Sequence, residues 1–490
     1  MKGIKIKKAD KPTSVICLTC IEQCISFFKN QQVNNNVSNM AVANLSTSHQ
    51  PKLETESSNN SVGSSADKSI NILDYDCLAK VLMLFPPVQR IKLENVCTKW
   101  KKAGSLAWYD IKEINFNALQ IQHMLNKELI LKKILFRCGC YLTHLSFEIF
   151  NTEHSELFDV IENNCRNVTH LSLDMMIHPL GYFNWIKSLK KLQCLKVNGG
   201  VPEGLYEKIL AMIPKDIKEI YLLINKNSEM EKLRHTAVKA LLEFHNLSHL
   251  ALHNVFIGKD LMEALSLKTK LVYLDLKGCH FWENDTSMFS KLINLEHLDL
   301  RYVEHLDDYV FSDIVENYLN TKSVVALVNN CRNLKTLKIL LSNNVSANAF
   351  KKIRNLKKLE HLHASSRATV ASPVELGNLI KLETLILNNF NEVPPEIFKK
   401  LDRLKHLDFS LCKNVTDSVA AYVIDNCQNL TYLCCSETGI SIDFLNYTVE
   451  KFKYRTNNNI LIIHVDESLY EDFDEKENYS SGLRVMQDYL

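Results

Sequence analysis

Two residue types in this chain could do chemistry, cysteine and histidine, and both recur at fixed places. Cys165, Cys331 and Cys427 sit in NNCRNV, NNCRNL and DNCQNL, each three residues before the first apolar residue of a recurring motif. Cys279 and Cys412 close LDLKGC and LDFSLC at a shared offset. Thiols can ligate metals, but cysteines in phase with a repeat are better explained as small apolar fillers of the seam between units. Cys17, Cys20 and Cys24 form CLTCIEQC, which lacks the nearby fourth ligand of a closed zinc site; surface thiols open to acylation are the other reading. Histidine stands just before the second leucine of the motif at His144, His170, His249, His297, His361 and His406. Six imidazoles in one file could sense pH or clasp a metal, and a plain file of exposed polar rings is the simpler account. The sequence contains no Gly-rich phosphate loop, no nucleophile elbow and no His-Glu-x-x-His motif. We therefore expect no catalytic residue, no metal and no cofactor.

These positions are set by a pattern, Leu-x-x-Leu-x-Leu with conservative replacements. It reads LTHLSF at 142, VTHLSL at 168, LQCLKV at 192, IKEIYL at 217, LSHLAL at 247 and LVYLDL at 271. It continues as LEHLDL at 295, LKTLKI at 334, LEHLHA at 359, LETLIL at 382, LKHLDF at 404 and LTYLCC at 430. Most steps are 22 to 26 residues, with longer ones after 217 and 295. That period is a leucine-rich repeat. The expected fold is α/β, a right-handed solenoid or horseshoe with parallel inner strands and outer helices such as ELFDVIENN and DSVAAYVIDN. The second and third leucines of each motif point into the stack and the residues between them point out. IKEINF at 111 and ILIIHV at 460 supply weaker strands where a solenoid needs end caps. The outward files give the expected contacts for a protein target: His249, Tyr273, Asp275, His297, Asp299, Arg301, His406 and Asp408. Lying off the core, these side chains are expected to tolerate alanine without loss of folding.

Composition bounds the remaining possibilities. With 46% hydrophobic and 23% charged residues and a net charge of +2, the chain has no global pull towards nucleic acid or anionic membrane. The outward files carry mixed charge rather than a basic stripe with aromatics, so no nucleic-acid partner is expected. Val15 to Phe28 is interrupted by Glu22 and Gln23, too polar for a signal peptide or a membrane span. No membrane partner and a cytoplasmic or nuclear location follow, with the fifteen cysteines reduced. Residues 29 to 69 are rich in Asn and Ser and poor in large apolar residues, so 1–69 is expected to be disordered. A helical module at 70–109, the solenoid with its end caps at 110–465 and an acidic, solvated tail at 466–490 complete the division.

The helical module is built on Leu78, Val81, Leu82 and Phe85, then Leu93, Val96, Cys97 and Trp100, each set spaced as one helix face, with Pro86 and Pro87 between them. Read from Leu73 to Trp100 it resembles the F-box. Leu73, Asp76, Leu78, Val81, Leu82, Pro86, Pro87, Leu93, Val96, Cys97 and Trp100 carry the likeness, and VCTKW is its most specific part. LAWYDIKEINF, with Trp108, resembles the sequence that links an F-box to its first repeat, and Cys279 and Cys412 resemble the cysteine-containing repeat subclass that follows an F-box. The family usually has Pro where this chain has Asp74, a good helix N-cap. The resemblance implies a non-catalytic substrate receptor of an SCF-type ubiquitin ligase. Its Skp-family adaptor and cullin scaffold would be met through Leu73, Leu78, Val81, Leu82, Pro86, Leu93, Val96, Cys97 and Trp100, and the repeats would hold an unidentified protein target. The alternative from another class is a leucine-rich-repeat scaffold or inhibitor that never meets a cullin.

Overall fold

The computed structural model describes residues 73–119, 127–149, 155–175, 183–199, 204–223, 231–233, 235–281, 286–301, 321–341, 351–366, 373–453, 459–473 and 482–488. The expected disordered region 1–69 lies outside them. The chain divides into two compact units, Met1–His144 with Glu156–Asn167, and Leu145–Ser155 with Val168–Leu490.

The first unit begins with three short helices, α1 (Tyr75–Leu82), α2 (Pro87–Leu93) and α3 (Thr98–Ser105). Asp74 caps α1 as its residue type suggests, its carboxylate accepting from the Cys77 amide at 2.7 Å. Pro87 opens α2, where a missing N–H costs nothing. Leu78, Ala79, Val81, Leu82, Leu93, Trp100, Ala103 and Ala107 form the core, with Leu73, Met83 and Phe85 packed against it. One expectation fails here. Leu93, Val96, Cys97 and Trp100 do not share a helix face, because α2 ends at Leu93 and Cys97 is extended, with φ −162° and ψ 172°, as the cap of α3. Val96 and Cys97 are consequently exposed. The connection is held from inside by Glu94, which accepts from Trp108 Nε1 at 2.8 Å and pairs with Arg137 at 3.0 Å.

In the second unit the repeat motifs become a parallel sheet that adds one strand per unit in chain order. Residue registers run Leu171, Leu195, Ile220, Leu250, Leu274, Leu298, Leu337, Leu362, Leu385, Leu407, Leu433 and Ile463, one per strand. All of these side chains are buried, which is the continuous apolar column the motif requires. The in-phase cysteines Cys331 and Cys427 are buried in the second unit and Cys165 in the first, and burial pushes each thiol up to about 12. Neutral thiols of this kind pack rather than react. Cys279 and Cys412 serve the seam directly, donating to the carbonyls of Leu252 and Leu387 on the preceding strands, both at 2.9 Å.

A second regularity was not read from the sequence. Four residues after the second motif leucine φ is positive in six units, at Gly199, Asn254, Gly278, Asn389, Leu411 and Glu437, with values between 52° and 104°. Glycine and asparagine suit this turn and the other two do not. At Gly278 a Cβ would also collide with Asn254 Oδ1. Glu437 is exposed, and its backbone N–H donates to Asp466 Oδ1 at 2.8 Å whatever its side chain. Glu437→Gly is therefore expected to raise stability by about 0.5–1 kcal/mol, the left-handed strain relieved less the greater entropy of an unfolded glycine. Thermal melts of the two proteins check this.

The outer returns differ from the expectation of helices throughout. Ser155–Asn164, Leu205–Met212, His235–Glu243, Lys259–Ser266, Thr321–Asn330, Asp417–Asn426 and Ile442–Lys453 are α-helical, but Asn184–Ser188, Thr286–Lys291, Lys352–Asn355, Val374–Asn378 and Pro395–Lys400 are 3₁₀ turns. Step length does not decide between the two, because the 25- and 24-residue steps that begin at 192 and 247 carry Leu205–Met212 and Lys259–Ser266, but Pro373 and Pro394 remove donors at the start of two of the 3₁₀ returns. The C-terminal boundary also moves. Leu483–Gln487 pairs in parallel with Leu461–Val465, and Leu483 and Val485 are buried, so the sheet runs past the expected end at 465. The alternating LRVMQ, apolar at every second residue, is the signal that an acidic-tail reading overlooked. Of the acidic run 471–477, residues 474–477 lie outside the described residues.

Candidate functional site

Two surfaces carry the side chains singled out by the sequence, and each belongs to one unit. The first is the outward face of the repeat sheet. Because the strands are in register, the residue before the second leucine forms a file, and His249, Tyr273 and His297 stand side by side in it. Their rings stack: Tyr273 lies 5.8 Å from His249 at 22° and 4.2 Å from His297 at 12°, with Tyr221 edge-on at 6.1 Å. His406 and Tyr432 repeat the arrangement further along, 4.1 Å apart at 3°. Strand spacing near 4.8 Å makes such stacking almost automatic once rings occupy one file.

The next file departs from expectation. Asp275 and Asp299 point away from the leucine column but are not exposed; Asp299 is only 1% accessible. Long neighbours roof them. Asp299 accepts from Arg301 Nε at 3.0 Å, Arg301 Nη2 at 2.8 Å and the Arg301 amide at 3.1 Å, and pairs with Lys338 Nζ at 3.4 Å. Asp275 accepts from Tyr273 Oη at 3.3 Å and the Lys277 amide at 3.1 Å, with His253 Nε2 at 3.1 Å. Burial alone would raise the Asp275 carboxyl, but His253 and the Lys277 amide outweigh it and hold it below the usual carboxylate value. Asp275, His297 and Asp299 each offer a donor atom within 4.8 Å of the others, a spacing that could hold a cation. Arg301 and Lys338 already neutralise Asp299, so a dication there would be left uncompensated.

His406 and Asp408 are not in that cluster, but hydrogen bonds lead towards them. Arg301 Nη1 lies 3.2 Å from His363 Nδ1, His363 Nε2 lies 3.1 Å from Ser365 Oγ, and Ser365 Oγ donates to Asn388 Oδ1 at 3.4 Å. Asn388 Nδ2 then donates to Asp408 Oδ1 at 3.4 Å, which Ser410 also engages through its amide at 2.8 Å. His253, Lys338, His363, Ser365 and Asn388 were missed by residue type, although they occupy two of the three outward offsets of the residues chosen. Burial and the neighbouring Arg301 charge push His363 down to about 4. Between that value and the ordinary 6.5 the unfolded chain binds the proton and the folded one does not, so stability is lost as pH falls from about 6.5 to about 4. The loss expected from this residue is up to about 3 kcal/mol, and His363→Gln should flatten that part of a stability–pH curve measured by denaturant titration.

The second surface belongs to the three-helix module and its neighbour α4 (Lys127–Cys138). Tyr75, Leu84, Val96, Leu106, Tyr109, Leu129, Phe136 and Tyr141 are half of the exposed large apolar side chains found among the described residues, although 75–141 is a small share of those residues. Of the nine expected adaptor contacts, Leu78, Val81, Leu82, Leu93 and Trp100 are core, Leu73 is half-buried, and Pro86, Val96 and Cys97 are exposed.

No protein-family model matches the chain, and neither does any curated protein. Solved structures similar to it are leucine-rich-repeat proteins and their like. The complex of Rad7 and Elc1 in yeast has a chain that is 16% identical, with 92% of this chain and 98% of that one covered at a TM-score of 0.42. An internalin of Listeria monocytogenes is 15% identical, covering 68% and 83% at a TM-score of 0.40. A leucine-rich-repeat protein of Leptospira interrogans is 16% identical, covering 79% and 97% at a TM-score of 0.40. Among the described residues no helix is long and apolar enough to cross a membrane.

Proposed function

We propose that the chain is the substrate-recognition subunit of an SCF-type ubiquitin ligase, with residues 70–109 acting as an F-box and the repeats as the target-binding face. The observation that carries this reading is the concentration of exposed apolar side chains on the three-helix module, in a stretch whose VCTKW ending resembles the F-box. Leu84, Pro86, Val96 and Cys97 are the side chains free of the module core and suited to an adaptor groove, while Leu78, Val81, Leu82, Leu93 and Trp100 hold the helices that present them. Catalysis would be by proximity: the receptor raises the effective concentration of a target lysine beside a charged conjugating enzyme and makes no bond itself.

Co-purification with an Skp-family adaptor and a cullin tests the reading. Leu84→Asp with Val96→Asp should lower adaptor affinity at least tenfold while leaving the melting temperature near that of the parent, since both residues are exposed. A folded chain that retains neither adaptor nor cullin removes the ligase reading and leaves a non-catalytic repeat scaffold. For the target, alanine at His249, Tyr273 and His406 is the informative set, because Asp275 and Asp299 are buried and Arg301 pairs with Asp299. Unchanged target binding after all three substitutions rejects the outward face as the binding surface.

A further inference from the structure

The module carries a groove of about 470 Å³ lined by Asp74, Tyr75, Asp76, Lys102 and Leu106. Its apolar walls, Tyr75 and Leu106, are each nearly half exposed. We infer that this groove is filled in cis by the apolar segment 15–28 of the same chain. The proposal concerns the surface on which the ligase reading rests, but it does not require that reading.

Three features of the molecule point to this occupant. The groove wall includes Asp74, Tyr75 and Asp76, so residues 1–69 precede it closely in the same chain. Within residues 1–69, VICLTCIEQCISFF at 15–28 is the apolar stretch, and Leu18, Ile21, Ile25 and Phe28 recur at i, i+3, i+7 and i+10, the spacing of one helical stripe. Its single charged residue, Glu22, matches Lys102 on the groove wall, while the lysines that precede it, at 2, 5, 7, 8 and 11, match Asp74 and Asp76. An amphipathic segment laid into an apolar groove is a recurring mode of recognition.

The tether makes a weak site sufficient. Residues 29–72 make a 44-residue connection rich in Asn and Ser, and the random-coil relation for that length and composition gives a root-mean-square span of roughly 35–40 Å. Such a linker gives an effective concentration of the order of 1 mM, so a groove with an intrinsic Kd of about 100 µM would be occupied about nine-tenths of the time. Occupancy would cover Leu73 and Tyr75. An adaptor that needs this end of the module would then bind about tenfold more weakly to the full chain than to one with the segment disabled.

Hydrogen exchange on the full chain tests the docking, with Ile21→Asp/Ile25→Asp as the variant because the module core is made of other residues. Several-fold faster exchange in the variant, both at 15–28 and at the last turn of α3 around Lys102–Leu106, is expected, and Leu106→Asp should release 15–28 in the same way. Exchange at 15–28 as fast as a free peptide in the parent, or unaffected by Leu106→Asp, overturns the proposal. Protection that grows with protein concentration also overturns it, in favour of a second copy in the groove. The adaptor titration separates the two readings. Release of 15–28 with no adaptor binding to either protein sinks the ligase reading and keeps the cis contact, whereas equal adaptor binding with no exchange difference does the opposite.

Discussion

Asp299→Ala is expected to cost the repeat unit about 3 kcal/mol, far more than a residue on the outward face of a strand ordinarily would. The carboxylate is 1% accessible and meets Arg301 through Nε, Nη2 and the backbone amide, with Lys338 Nζ at 3.4 Å. Removing it leaves two cations facing each other across neighbouring strands, and removing one partner of a buried pair costs about 3–5 kcal/mol because the other charge stays behind. The lower end applies, since the Arg301 and Lys338 side chains keep 24% and 32% of their exposure and can recover some water. Arg301→Ala made together with Asp299→Ala should restore part of the loss. A denaturant double-mutant cycle measures it, and a single-mutant cost below about 0.5 kcal/mol would mean the pairs are solvated and weak.

That expectation reverses the one drawn from the sequence, and the reason is instructive. Period-2 alternation tells which side of a strand Asp299 faces, and it does face away from the leucine column as the motif requires. Alternation is blind to what neighbouring strands lay over that side. Arg301 is two residues on in its own strand's continuation and Lys338 is one strand away across a 39-residue step, so the roof over Asp299 exists only once the register Asp299↔Lys338 is known. By contrast the leucine column, the seam cysteines and the Asp74 cap were legible because each depends on local spacing alone. The positive-φ position at 199, 254, 278, 389, 411 and 437 lay between these cases: Gly, Asn, Gly and Asn at one offset were visible, but Leu411 and Glu437 hid the pattern. Val96 and Cys97 were misplaced for a further reason. A helical spacing of four residues is also met by a turn between two helices, and the interior demand of Glu94 for Trp108 and Arg137 decides in favour of the turn.

Arg90 is where the stability of the module and the presentation of its proposed docking residues become one question. The guanidinium is buried and all of its nitrogens are used: Nε donates to the Phe85 carbonyl at 2.7 Å, Nη2 to the Met83 carbonyl at 2.7 Å, and Nη1 to the Ala107 carbonyl. It also grips Asp110 with both forks, at 2.7 and 2.8 Å, and lies 5.7 Å from the Trp108 ring. The carbonyls of Met83 and Phe85 bracket Leu84, so the same side chain fixes the turn that exposes Leu84 and Pro86. Arg90→Ala strands those acceptors and Asp110 together, and a loss of about 3–5 kcal/mol is expected. Arg90→Lys keeps the charge but cannot fork, so it should recover less than half of the loss. Hydrogen exchange of α1 to α3 is the appropriate measurement, since it reports this unit separately from the repeats. Adaptor binding should fall in step with that exchange, in contrast to Leu84→Asp and Val96→Asp, which are expected to lose binding with the helices intact. If Arg90→Ala leaves exchange unchanged, the network is dispensable and the turn at Leu84 is held by α1 and Pro87 alone.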